Sequence, residues 1–408
     1  MFRNNFTFKS FLLVVILLLV FHSANAQWDV SFSYEQEYND NPFHLPEVQQ
    51  SWISILQFGA EHQLNKYTVG YYGNYSHFNN ILDRNFYWHQ LALFGGSDTT
   101  GWGIYGEQRI NKSDYNIYDY KDLNGFFRHR FSIKGITANW QSKIQFNFYD
   151  QLSELNSWKL NSSIRFHKSF PTRTTIIAGV GFDYKNYLNS SQLIEVEPDT
   201  NILEMNLPTS SILIETRNGH GGGKGYRHGD RHGYLSQNSY VNFENPSVLQ
   251  MSFWLRVAQS ITPTTGVAFQ YFNRMLLSGQ DRFISDISYS YSQESEIFND
   301  PLGYESHSLG SELTKLLPSE IMLKLSAFYV TKNYSAQGIY TDEENYDETT
   351  LRKDKYKTIY LNLKKDFGFV KDSKLGLSLN YQWINNESNS YWYDYKNSYY
   401  SIGLEFEF

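Results

Sequence analysis

Between positions 217 and 233 the chain reads RNGHGGGKGYRHGDRHG, gathering His220, His228, His232 and Asp230 with the cations Arg217, Lys224, Arg227 and Arg231. Imidazole and carboxylate ligands suit Zn²⁺, Cu²⁺ or Ni²⁺. Glycines let the backbone fold tightly around an ion, and His228 and His232 stand four apart. Two features oppose a metal: the neighbouring cations repel a dication, and glycine-rich backbone begins without a fixed shape. The same segment suits the phosphate or sulfate groups of a surface polysaccharide, or reads simply as a solvated loop. A second arrangement is His167-Lys168-Ser169. It holds a base and a hydroxyl at bare spacing, and nucleophilic chemistry would need a third group to orient them.

A different set of charges is spread along the chain. Lys143, Lys159, Arg165, Lys185, Arg256, Lys324 and Lys374, with Glu61, Glu107, Asp183, Glu405 and Glu407, occupy alternate positions in segments whose intervening residues are apolar. Trp158, Leu160, Ser162, Ile164 and Phe166 oppose Lys159, Asn161, Ser163, Arg165 and His167; Leu249, Met251, Phe253, Leu255 and Val257 oppose Gln250, Ser252 and Arg256. Side chains alternate between the faces of a strand with period two. One face is therefore apolar and the other charged. If the charged face lines a lumen, it tunes ion selectivity in a water-filled pore; the alternative is that the charges pair across the lumen and rigidify a closed barrel. Neither sign dominates enough to predict anion or cation preference.

The alternation recurs from end to end, and no window keeps a helical period. Connections alternate between short ones (64–66, 95–100, 134–135, 171–173, 262–264, 317–319, 368–371) and longer polar ones (40–48, 79–84, 113–122, 151–156, 188–246, 278–304, 333–353, 386–394). Short turns on one side and long loops on the other are the asymmetry of outer-membrane barrels. The hairpins sum to about 16 strands, or 14 if one is lost; the weakest signals lie at 123–133 and 305–316. Aromatic runs at 391–395 (YWYDY) and 86–88 (FYW) suit sugar stacking, although an interfacial girdle is the commoner use of such residues.

Residues 1–26 have the parts of a secretory signal: Arg3 and Lys9, an apolar run at 11–21, and Ala24-Asn25-Ala26 as a cleavage site. The expected division is a signal peptide over 1–26 and one barrel domain over 27–408, with no space for an N-terminal plug. The chain has no Cys, so disulfides, thiolate metal sites and a lipoprotein anchor are excluded. Mean hydropathy is negative despite 18% aromatic residues, which excludes a helical membrane protein. With 33 Tyr and 9 Trp it fits a wall that is apolar only on alternate residues. A formal charge of −7 argues against nucleic acid.

Taken with Tyr400, Ile402, Leu404, Phe406 and Phe408 on one face of the last segment, these features resemble a Gram-negative outer-membrane β-barrel of the porin-like kind. The resemblance implies an all-β, up-and-down antiparallel barrel with short periplasmic turns and long extracellular loops. It also implies that Phe408, with Phe406, helps the barrel-assembly machinery recognise the chain, and that outer-membrane lipid and lipopolysaccharide surround it. The expected function is passive passage of small solutes. The alternatives are a non-conducting surface binding or scaffold barrel acting through 188–246 and, third, an outer-membrane enzyme. Outer-membrane phospholipases carry a His-x-Ser pair, but His167 falls near a periplasmic turn, away from the outer leaflet such a site needs. No cofactor is expected beyond a divalent ion in the long loop.

Overall fold

The computed structural model describes residues 28–79, 84–189, 193–194, 211–212, 247–279, 300–370 and 373–407. Sixteen strands, numbered here around the wall, form one closed antiparallel barrel. They are β1 Trp28–Asn39, β2 Ser51–Leu64, β3 Tyr67–Phe78, β4 Phe86–Gly96, β5 Thr100–Asn111, β6 Tyr120–Ile133, β7 Ile136–Tyr149 and β8 Ser157–Ser169. The second half runs β9 Thr174–Tyr187, β10 Ser247–Thr262, β11 Thr265–Gly279, β12 Tyr304–Leu316, β13 Met322–Tyr334, β14 Lys353–Val370, β15 Ser373–Ser388 and β16 Tyr395–Glu407. Each strand pairs with its successor, and β1 closes on β16 from Ser31↔Glu407 to Asn39↔Tyr399.

The alternation decides which side faces out. In β2, Trp52, Phe58 and Leu64 are exposed, while Ile53 and Ile55 between them are buried inside. Around the wall Leu91, Ile104, Phe269 and Leu309 are each more than half exposed. In water such a band would drive aggregation; in a bilayer it is the required outer face. The tight connections sit at one end. Lys134 and Gly135 both have positive φ, the left-handed pair of a type I′ hairpin, whose twist matches that of the flanking strands.

Both segments with weak strand signals are strands. β6 starts at Tyr120 rather than after Asp122, shortening the connection expected over 113–122, and β12 pairs along its length with β11 and β13. The count is therefore sixteen. β14 continues to Val370 and β15 begins at Ser373, so the strands take in most of the connection expected at 368–371.

Two buried apolar clusters lie at the end carrying the long connections. Phe43 and Leu45, from the β1–β2 loop, pack on the inward residues Ile53, Ile55, Phe78 and Phe86. Tyr118, Leu152 and Leu155 from two further loops pack with Tyr149 and Tyr187. At the same end Arg352 is buried with its Nη2 2.5 Å from Asp354 Oδ2, and its guanidinium lies 3.4 Å from the Tyr393 ring centre and 4.2 Å from that of Tyr334. This corrects the reading of 391–395 as a girdle. Trp392, Tyr393 and Tyr395 are buried at the mouth: Tyr393 faces the guanidinium, Tyr395 stacks on a loop histidine, and Trp392 Nε1 donates to the Glu343 carbonyl. Of 86–88, only Tyr87 faces lipid; Phe86 joins the mouth core and Trp88 lines the lumen.

Removing one partner of a buried ion pair strands the other charge, at a cost of about 3–5 kcal/mol. Arg352→Ala is expected to lower the temperature at which the folded barrel unfolds on unboiled gels by several degrees. Arg352→Met with Asp354→Leu should recover most of the loss.

Candidate functional site

The inward residues of the strands bound two cavities that meet at Gln145. The first, about 710 Å³, is set against β1–β7 and β16. It carries Glu107, Asp122 and Glu405 with a single cation, Arg109, and the polar and aromatic groups Asn74, Trp88, Gln90 and Asn147. Glu107 stands directly opposite Asp122 across the β5–β6 pair. Like charges so placed repel. Asp122 Oδ2 accepts a 2.7 Å hydrogen bond from Gln145 Nε2, and Arg109, one inward position along, lies with its guanidinium 3.8 Å from the Phe86 ring centre.

The second cavity, about 570 Å³, is set against β7–β11 and has the opposite balance. Lys143, Lys159, Arg165 and Arg274 face Asp183 and Asp300. Lys159 stands opposite Lys185 on the β8–β9 pair, a repulsion that the strands alone cannot relieve. Asp300, in the segment leading into β12, folds in and relieves it: its Oδ2 lies 2.6 Å from Lys185 Nζ and 3.7 Å from Lys159 Nζ. The turn is held there because Leu302 N–H donates to Asp300 Oδ1 and Gln250 Nε2 donates to the carbonyls of Pro301 and Tyr304. Burial alone would raise the Asp300 pKa. The two ammonium charges and the hydrogen bonds outweigh it and hold the carboxyl below the usual range. A depressed pKa keeps this contact intact above the ordinary carboxylate pKa and releases it only as pH falls through the lower folded value.

The remaining charges expected in the lumen are distributed as follows. Arg256 bonds Glu312 at 2.9 Å, Arg165 lies 5.3 Å from the Trp254 ring centre, and Lys143 lies 5.6 Å from that of Tyr105. Asp183 accepts from Asn161, and Glu61 from the Tyr72 hydroxyl. Glu405 pairs with Lys364 at 2.9 Å, and Glu407 stands opposite Lys374 near the periplasmic rim. Lys324 is the third residue of β13, near the same rim. Phe406 is paired with Phe32 and Leu375 on the apolar face. His167 Nε2 lies 3.4 Å from Ser169 Oγ, which also contacts Thr175 Oγ1 at 3.1 Å. Phe408, residues 1–26, and His220, His228, Asp230 and His232 lie outside the described residues. Among the described residues no three His, Asp or Glu side chains are grouped to hold a metal.

Sequence reasoning missed Arg109, Asp122, Arg274 and Asp300, and the lumen positions of Trp88 and Trp254. Starting the alternation at Tyr120 would have turned Asp122 inward. For Asp300 the available signal was Asp-Pro, a turn initiator just ahead of a strand.

A closed, even-stranded wall with an apolar exterior and a charged interior defines a porin-like outer-membrane β-barrel. No family model matches the chain, and no curated protein does. Among solved structures it is similar to Pseudomonas aeruginosa OpdO (9% identity, 95% of this chain and 98% of that chain, TM-score 0.46). It is also similar to Acinetobacter baumannii OccAB1 (8%, 94% and 96%, TM-score 0.46) and to a bacterial polysaccharide outer membrane secretin (9%, 93% and 98%, TM-score 0.46). These likenesses extend to the barrel and no further.

At the mouth, His44 stacks on Tyr395, with ring centres 4.4 Å apart and planes at 6°. Burial, and then the charge of Lys332, bring its pKa down from 6.5 to about 4. Its neutral form is therefore the folded one, and stability falls as pH drops from 6.5 towards 4, by about 1.4 kcal/mol per pH unit. His44→Phe keeps the stack without the titration. The difference in unfolding temperature between wild type and His44→Phe should be small at pH 7 and widen by pH 4.5; a constant gap would contradict the assignment.

Proposed function

We propose that this barrel is a porin-like channel for small polar solutes, whose path runs between walls of opposite charge. The observation that supports it is the segregation on either side of Gln145: three carboxylates against one cation in the first cavity, four cations against two carboxylates in the second. Fixed charges of opposite sign facing each other across a narrow aqueous space orient a dipolar solute and favour solutes carrying both signs. Cavities of this volume suit small organic molecules. The solute then meets Trp88, Gln90 and Asn74 on one side and Arg165, Trp254 and Arg274 on the other.

A second reading has one observation in its favour. The loop residues packed at the extracellular end, Phe43, Leu45, Tyr118, Leu152 and Leu155, narrow the mouth, which suits a barrel that works as a surface binding or scaffold protein.

Planar-bilayer recording of the refolded mature protein separates the two. The channel reading expects stable conductance steps. A charge reversal about 8 Å from the ion path changes its energy by about 0.5–1 kcal/mol in a water-like dielectric. Lys143→Glu with Arg165→Glu, two such reversals, should therefore shift the cation-to-anion permeability ratio about five- to thirtyfold towards cations, and Glu107→Gln should shift it towards anions. A silent barrel that still shows heat-modifiable migration would favour the scaffold reading. Conducting variants with unchanged reversal potentials would count against the two-wall path.

A further inference from the structure

Lys159 and Lys185 stand side by side on β8 and β9, and two ammonium groups so placed hold a carboxylate through charge-assisted hydrogen bonds. The carboxylate they hold comes from the segment before β12, and it fits them unequally. Asp300 Oδ2 lies 2.6 Å from Lys185 Nζ but 3.7 Å from Lys159 Nζ, beyond hydrogen-bond reach. Its Oδ1 is engaged elsewhere, accepting the Leu302 N–H at 2.9 Å. One oxygen therefore answers two lysines. A free carboxylate can give one oxygen to each.

Access favours exchange at Lys159. The side chains of Lys185 and Asp300 are each 4% exposed, against 14% for Lys159. Lys159 also lines the cavity of about 570 Å³ together with Asp300, Pro301 and Leu302. Lys143, Arg165 and Arg274 line the same cavity and raise the local concentration of anions there. Apart from the lysines, the turn 300–303 is held by neutral hydrogen bonds. Gln250 Nε2 donates to the carbonyls of Pro301 and Tyr304 at 3.1 and 2.9 Å, and the Ser335 N–H donates to that of Gly303 at 3.1 Å. A neutral bond is about half as strong as a charge-assisted one. The lysine contact is the strongest single hold on the turn.

We propose that Asp300 is a displaceable internal ligand. A carboxylate-bearing solute takes Lys159 and then Lys185, and the turn 300–303 withdraws from the lumen. One carboxylate stays on the two lysines throughout, so their repulsion is never left bare. Pro301 and Leu302 leave the wall of the second cavity with Asp300, which widens the path for the solute that displaced them. The exchange rests on the channel reading only for the supply of solute.

The chain has no Cys, so Leu302→Cys places a single thiol on the turn, at a buried position. The refolded mature protein is reacted with a small water-soluble maleimide in sodium succinate and in sodium chloride of equal ionic strength. Labelling should be slow in chloride and about tenfold faster or more in succinate. Adding Lys159→Gln should remove most of that rise, and adding Asp300→Asn should give fast labelling in both salts. Equal labelling of Leu302→Cys in the two salts would overturn the proposal. Slow in both would make Asp300 a fixed counter-ion; fast in both would mean that the lysines do not hold the turn. If Leu302→Cys does not assemble, the unfolding temperature of Asp300→Ala decides. Succinate should raise it above its value in chloride, and no difference would overturn the proposal. Neither readout needs conduction: a barrel silent in a planar bilayer but labelled as expected would refute the channel and leave the exchange standing.

Discussion

No backbone N–H or C=O can be left open to hydrocarbon, and the pairing of β1 with β16 is what meets that requirement here. Register pairs from Ser31↔Glu407 to Asn39↔Tyr399 turn a fifteen-hairpin ribbon into a wall without an edge. Closure fixes the parity of every strand: once Tyr34 and Leu404 share the lipid face, Glu35 and Glu405 must face the lumen. A slip of one residue in any pair would carry a row of charges into lipid. The charges inside the barrel are therefore a consequence of closure as much as of composition.

Parity also sets like charges against each other. It places Lys159 against Lys185 and Glu107 against Asp122, and groups from outside each strand pair answer the repulsion. Asp300 enters from a loop between the two lysines, and Gln145 reaches Asp122 from the next strand. At the mouth the roles reverse: the strand residue Asp354 is matched by Arg352 from the loop, under the rings of Tyr334 and Tyr393. Loop packing and lumen electrostatics are thus one system, since the loops that narrow the mouth also carry counter-charges for the wall.

The division between what the sequence made legible and what it hid follows the same line. Alternation is uninterrupted in β8, β10 and β16, so strand existence, facing and the inward course of Lys159, Arg165 and Arg256 could be read directly. In β6 the run Lys121-Asp122-Leu123-Asn124-Gly125 has polar residues on both faces near the rim, and the strand start was lost with it. Ion-pair partners were not legible, because Lys185 and Asp300 are 115 residues apart and meet only once β9 to β12 have paired. The run at 391–395 misled for a related reason. Tyr and Trp are as suitable for covering a buried guanidinium as for meeting a lipid interface, and only the position of Arg352 distinguishes the two uses.

A groove on the outer wall, floored by Ser311 and Ala327 between Phe269 and Ile359, shares a thin stretch of wall with the lumen face. Along β12, Ser308 and Gly310 face inward, and Ser311 faces lipid. A Cβ at Gly310 would stand 2.5 Å from the Phe328 ring, so that ring lies flat across the strand where a side chain would otherwise rise. Small residues on both faces let β13 contribute its bulk inward through Phe328, while Ala327 leaves the outer surface low. The relief that makes a groove outside is thus the same local choice that brings an aromatic ring onto the inner wall beside the Arg256–Glu312 pair. In a wall one strand thick, the outward and inward surfaces cannot be varied independently at such a place.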